Sequence, residues 1–138
     1  MGFDPFKWRK RGIVRLKATL EEQMPNYMES DERVVASMLG QTHPSSIGTV
    51  GGAVYFKTSF RYLYLMATGR HLYVFALDQF KPKNIKEMLG RVDLGTVTIE
   101  ISGGNLMIGE TRIVVSTGET EAAREVAAAS PGKPSTAD

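Results

Sequence analysis

From Tyr62 to Leu77 nearly every position is apolar or aromatic, in two runs broken only at Thr68-Gly69-Arg70. Each run has strand length and is rich in Tyr, Val, Leu and Phe, and Gly69 supplies a turn. Alternation would mark a sheet with one wet face. Its absence here implies a hairpin covered on both faces, at the heart of a barrel or sandwich core.

The flanking patterns differ. From Lys10 to Met24 the period is helical: Ile13, Leu16, Leu20, Met24 and Tyr27 fall at steps of three and four on one stripe, with Lys17, Glu21 and Glu22 off it. Pro25 lacks an N–H and crowds the preceding turn, so the helix is expected to stop or kink near Met24. That stripe is read as packing on the domain, with helix pairing to a partner as the lesser reading. Arg33–Leu39 reads as a strand. Gly40 to Gly52, with Pro44, two serines and four glycines, reads as a long loop. Ala53–Phe56 regains strand character. Asp78 to Asn84 reads as a basic turn around Pro82, and Ile85, Met88, Leu89 and Val92 suggest one or two helical turns. Gly95–Ile101 alternates cleanly, Ser102–Asn105 makes a hairpin loop, and Leu106–Ile108 and Arg112–Ser116 are strands joined at Gly109-Glu110. Thr117 is a candidate cap for a last helix, Glu119–Ala129, which has acids in its first turn and small apolar residues along one side.

Many short strands at close spacing between two helices predict an α+β fold, mainly antiparallel, whose sheet must bend, close or cover its edges. The expected core is Val34, Ala36, Leu63, Leu65, Leu72, Val74, Val97, Ile99 and Val114, with part of Ile13, Leu16 and Leu20. The organisation read from these patterns is a flexible basic and aromatic arm at 1–9, a helix at 10–29, a domain at 30–129 and a disordered Pro- and Ser-rich tail at 130–138.

Composition narrows the chemistry. A chain of 138 residues suits one domain with one modest core. There is no Cys, so disulfides, zinc–thiolate sites and thiol nucleophiles are excluded. His43 and His71 are the only histidines, so a His-based metal site would need carboxylates to complete it. No stretch approaches the roughly 18 apolar residues of a membrane span, and no apolar core follows the basic start, so a cytoplasmic protein is expected. The net charge of +2 conceals alternation. Residues 1–17 and 57–91 are basic, and 18–32 and 92–138 are acidic, so mutual neutralisation on folding is the first expectation.

The element order and the run Met66-Ala67-Thr68-Gly69-Arg70-His71-Leu72-Tyr73-Val74-Phe75 resemble the pleckstrin-homology superfamily, in particular the bacterial PH-like and GRAM-like domains of the small actinobacterial type. There a strand ends in a small residue and Thr, a short turn with Arg follows, and the next strand carries Leu-Tyr and an aromatic. The likeness covers about residues 30–128. It implies a PH-like bent sheet or barrel with an N-terminal and a C-terminal helix, and a binding module in place of a catalyst. Gln41–Gly52 carries no Lys or Arg, so phosphoinositide binding does not follow from it.

Single features add little chemistry. Gly48–Gly52 could meet a phosphate through backbone N–H groups, but it lacks the Lys-Ser/Thr of a phosphate-binding loop. Ile47–Phe56 could insert shallowly in a bilayer, with a loop running into an edge strand as the preferred reading. His71 has no carboxylate near it in sequence and is read as a satisfied structural histidine. A deep pocket in which it met a buried carboxylate would reverse the expectation that the chain is not an enzyme. The candidate surface for an anionic contact is Lys7, Trp8, Arg9, Lys10 and Arg11 with Lys81, Lys83 and Lys86. Phe3, Phe6 and Trp8 among the bases of the arm suit docking onto the domain first, an anionic membrane second and single-stranded nucleic acid last. No cofactor is expected. The functional expectation is a protein-binding adaptor or scaffold of unnamed partner, with a peripheral anionic-lipid-binding domain as the alternative.

Overall fold

The structure is a computed structural model that describes residues 10–46, 61–78, 80–81 and 83–129. The expected arm and tail, the Gly48–Gly52 run and Ala53–Phe56 lie outside the described residues. Helix α1 spans Lys10–Glu21 and is followed by a 3₁₀ turn at Met24–Asn26, as Pro25 requires. The strands are β1 (Ala36–Thr42), β2 (Tyr62–Ala67), β3 (His71–Leu77), β4 (Ile85–Asp93), β5 (Ile99–Ser102), β6 (Asn105–Ile108) and β7 (Thr111–Val115), and helix α2 is Thr120–Ala128. All neighbours pair antiparallel in the order β4-β3-β2-β1-β7-β6-β5. Among the described residues the sheet is not closed. The fold is α+β and consistent with a PH-like bent sheet.

The central hairpin is buried on both faces, as its unbroken apolar run implies. Ala36, Met38, Leu63, Leu65, Ala67, Leu72 and Val74 face α2, where Ala123, Val126 and Ala127 complete a core with Ile99, Leu106, Ile108 and Ile113. Tyr62, Tyr64, Met66, Tyr73, Phe75 and Leu77 face the other way, against Ile13, Leu16, Leu20 and Met24 of the helical stripe. There Tyr73 stacks on Phe75 at 6.0 Å, and Tyr27 meets Phe75 edge-on at 4.9 Å. The alanines of α2 allow it to lie close against the sheet. Ile113, paired with Leu106, takes the core position expected of Val114, which is half-buried.

Two of the expected elements are corrected as well. Ile85, Met88, Leu89 and Val92 lie on a strand, not a helix. Register shifts at Val74/Phe75 and Ala76/Leu77 put Ile85 opposite Leu77 and Met88 opposite Phe75. Each bulge inserts a residue, so two side chains on one face stand three apart and mimic a helical period. Gly40, Gln41 and Thr42 belong to β1 and not to a loop, and Pro44–Ser46 is a 3₁₀ turn.

β1 is the strand both halves of the sheet share. It pairs with β2 over Ala36–Gln41 but with β7 only over Gly40–Thr42. The approach of β7 is close at Gly40, where a Cβ would stand 2.8 Å from the Val114 carbonyl oxygen and 2.9 Å from Ile113 Cγ2. Before Gly40 the edge of β1 that faces β7 has no strand beside it among the described residues, and side chains replace one. Ser116 N–H donates to the Leu39 carbonyl (3.2 Å), while Leu39 N–H donates to Glu119 Oε1 (2.8 Å). Lys17 Nζ bonds the Ser37 carbonyl (3.0 Å) and the same Glu119 oxygen (2.8 Å). Thr117 does not cap α2: the helix begins at Thr120, and Glu119, expected in its first turn, holds the N-cap position without a side-chain cap bond. Its buried carboxylate ties α1, β1 and α2 together.

The outer edges are blunted. β5 has four residues, and β4 carries two bulges and Lys86, features that discourage another strand from adding.

Glu119→Ala strands the Leu39 N–H and the Lys17 ammonium, so we expect a loss of about 3 kcal/mol in a urea melt. Glu119→Gln keeps an acceptor and should lose less. Gly40→Ala should cost about 2 kcal/mol through overpacking. A loss for Glu119→Ala of under about 1 kcal/mol, the range of a surface pair, contradicts this role.

Candidate functional site

The β2–β3 turn holds the densest polar cluster among the described residues. Thr68 N–H donates to the His71 carbonyl (2.8 Å), and Thr68 Oγ1 accepts the N–H groups of Arg70 (3.1 Å) and His71 (3.0 Å). The Thr hydroxyl thus closes the turn and keeps its own proton free to donate. It donates to Glu32 Oε2 at 2.6 Å. The same oxygen takes His71 Nδ1 at 2.8 Å, while Oε1 accepts the Glu29 N–H (3.0 Å) and the Tyr73 hydroxyl. Glu32 comes from the segment before β1 and its side chain is buried. Outside it, Arg70 bridges Asp31 (2.6 Å) and Glu29 (3.0 Å) at the surface.

Burial alone would raise the Glu32 carboxyl above its ordinary 4.5, but bonds from Thr68, Tyr73, His71 and the Glu29 N–H outweigh it and hold the group at about 2. Burial, followed by the hydrogen bond to Glu32 and then that carboxylate's charge, pushes the Tyr73 hydroxyl up to about 12. The carboxylate is therefore charged, with two donors on each oxygen.

His71 accordingly does meet a buried carboxylate, one that lies 39 residues away in sequence and was invisible there. The other half of the catalytic condition differs. The nearby depression is open, encloses about 360 Å³, and is lined by Asp31, Glu32, Arg33, Val35, Gly69 and Arg70, without His71. The imidazole is mostly covered, and its Nδ1 must carry the proton to donate to the carboxylate. The geometry is that of an anchored histidine bracing a turn. His43 is a local turn residue: its Nδ1 accepts the Ser45 N–H (3.0 Å) and pairs with the Ser45 hydroxyl (2.8 Å). Among the described residues no group of three His, Asp or Glu is placed to hold a metal.

The candidate anionic surface is divided. Lys7, Trp8 and Arg9 lie outside the described residues, and Lys10 and Arg11 begin α1. Lys81, Lys83 and Lys86 stand exposed around the β3–β4 turn. Gln23, just past the far end of α1, donates to the Lys83 carbonyl (2.9 Å) and accepts the Ile85 N–H (3.2 Å). The two lysine and arginine groups are thus separated by the length of α1, about 18 Å. In that turn Asp78 accepts the N–H groups of Phe80 (2.9 Å) and Lys81 (3.1 Å), which hold its carboxyl below the usual range.

No protein-family model, curated protein or solved structure matches the chain. No helix among the described residues is long and apolar enough to cross a membrane.

The pH dependence of Glu32 follows from its sign. A folded value near 2 against an ordinary 4.5 gives stability that is complete above about 4.5 and lost as pH falls toward 2. Glu32→Gln should therefore be less stable by up to about 3 kcal/mol at neutral pH, and the gap should narrow in chemical melts between ~pH 5 and ~pH 2. A gap that stays constant through that window would show that the carboxylate charge is not what holds the cluster.

Proposed function

We propose that this chain is a non-catalytic PH-like binding module, a cytoplasmic adaptor or scaffold that recognises another protein. The observation that carries this reading is the pairing of a saturated polar cluster with an open, mixed surface above it. Glu32 spends both oxygens on fixing the segment Glu29–Glu32 to the β2–β3 turn. Over that rigid base Val35 stands 62% exposed between Arg33 and the Arg70–Asp31 pair. An exposed apolar side chain ringed by fixed charges is the composition of a small recognition surface: the apolar group supplies burial and the charges supply selectivity. The apolar stripes of both helices are spent on the sheet, although Val14 of α1 stands exposed off its stripe.

The test is affinity capture with the intact chain, followed by titration against the retained protein. We expect a saturable partner whose affinity falls at least tenfold in Val35→Asp and in Arg33→Glu, with unchanged melting curves. The absence of any saturable partner, or a partner indifferent to both substitutions, contradicts the proposal.

A further inference from the structure

The opposite end of the hairpin carries a second, independent feature. Phe80 is 89% exposed, the most exposed of the large apolar side chains described. It does not sit on a loose loop. Asp78 holds the N–H groups of Phe80 and Lys81, Asp78 N–H donates to the Asn84 carbonyl (3.0 Å), and Asn84 N–H donates to the Lys81 carbonyl (2.8 Å). Gln23 fastens the far side of the turn to the end of α1. These bonds fix the described residues of the turn, and they leave the Phe80 ring in water.

Its charges are arranged to match. Lys81, Lys83 and Lys86 are exposed, and none forms an ion pair among the described residues. Of the nearby acids, Glu87 is engaged by Arg61 at 2.9 Å, while Asp78 accepts the N–H groups of the turn and also attracts Lys86 and Lys81, offsetting part of their charge but leaving the three lysines in excess. The ring therefore projects from a positive surface.

We infer that the β3–β4 turn docks this domain on an anionic lipid surface, with Phe80 entering the headgroup region and Lys81, Lys83 and Lys86 over acidic headgroups. A bilayer suits it better than a protein pocket. A specific protein interface takes about 800 Å² of complementary surface from each partner, more than one ring and three lysine stems supply. A membrane interface accepts a single aromatic and nearby cations without shape complementarity. Docking in this way leaves the Val35 depression free, because the two turns lie at opposite ends of β3, about 23 Å apart along the strand.

Co-sedimentation of the full chain tests this with vesicles of phosphatidylcholine alone and with about a third phosphatidylserine, at low and high salt. Four chains are compared: the intact protein, Phe80→Ser, Lys81→Gln/Lys83→Gln/Lys86→Gln, and an arm variant Lys7→Gln/Trp8→Ser/Arg9→Gln. We expect binding to the acidic vesicles only, weakened by salt. At about fivefold per lysine the triple variant should bind about 100-fold more weakly, Phe80→Ser should be clearly impaired, and the arm variant should keep its binding. Circular dichroism melts of the variants should match the intact chain. The inference is overturned if the intact chain ignores acidic vesicles, if Phe80→Ser and the triple lysine variant bind as it does, or if the arm variant alone abolishes binding. Loss of protein capture by Phe80→Ser without vesicle binding by the intact chain would make the turn a protein contact, and equally overturns it.

Discussion

The fold depends on how β1 serves two partners. A strand pairs along both edges only where both neighbours are present, and β7 reaches β1 for just three residues. The rest of that edge would leave buried backbone groups unpaired, each costing roughly 1–3 kcal/mol. Lys17 and Glu119 supply what a strand would have supplied, an acceptor for Leu39 and a donor for Ser37. Because one residue comes from α1 and the other from the entry to α2, satisfying the edge also fixes both helices. The ion pair is more than an ornament on a finished core, since it forms part of the hydrogen bonding of the sheet.

Glu32 repeats the device at the β2–β3 end. There too a buried carboxylate takes up donors that local structure leaves over, here from Thr68, His71, Tyr73 and the Glu29 backbone. Both carboxylates are thus spent inside the fold, and the proposed functions fall to what projects from it. The depression beside Val35 and the turn at Phe80 lie at opposite ends of one hairpin, the arrangement that the proposed adaptor at a membrane surface would use. In that account Asp78 and Gln23 do for the Phe80 turn what Glu32 does for the other: they hold a recognition surface still, which lowers the entropy lost on binding.

The parts of this molecule legible in the sequence are those specified by neighbours. Tyr62–Leu77 announces a doubly covered hairpin because every position says so, and the stripe of α1 is read from its period. The helical reading of Ile85–Val92 failed because bulges change the period without changing the composition. Gly40 reads as a loop residue until the approach of Val114 shows that it is there to let a strand pass. The Lys17–Glu119 and Glu32–His71 pairs were beyond reach for another reason. Each joins residues far apart in sequence that read locally as ordinary surface polar groups, and only the topology brings them together. Lys81, Lys83 and Lys86 were visible as a basic cluster, but their separation from Lys10 and Arg11 by the length of α1 was not. The sequence places Phe80 in the basic turn Asp78–Asn84 but does not show that its ring stands in water there.

The most direct test of the central claim is native-state hydrogen exchange at the Leu39 amide, compared with that of Leu65 in the centre of the sheet. If Glu119 truly replaces a strand, the Leu39 N–H opens only when the whole domain unfolds, and both amides exchange with the same free energy. Exchange at Leu39 about 100-fold faster or more, a gap of roughly 3 kcal/mol, would mean that this edge opens on its own and that the ion pair does not hold the two halves of the sheet together.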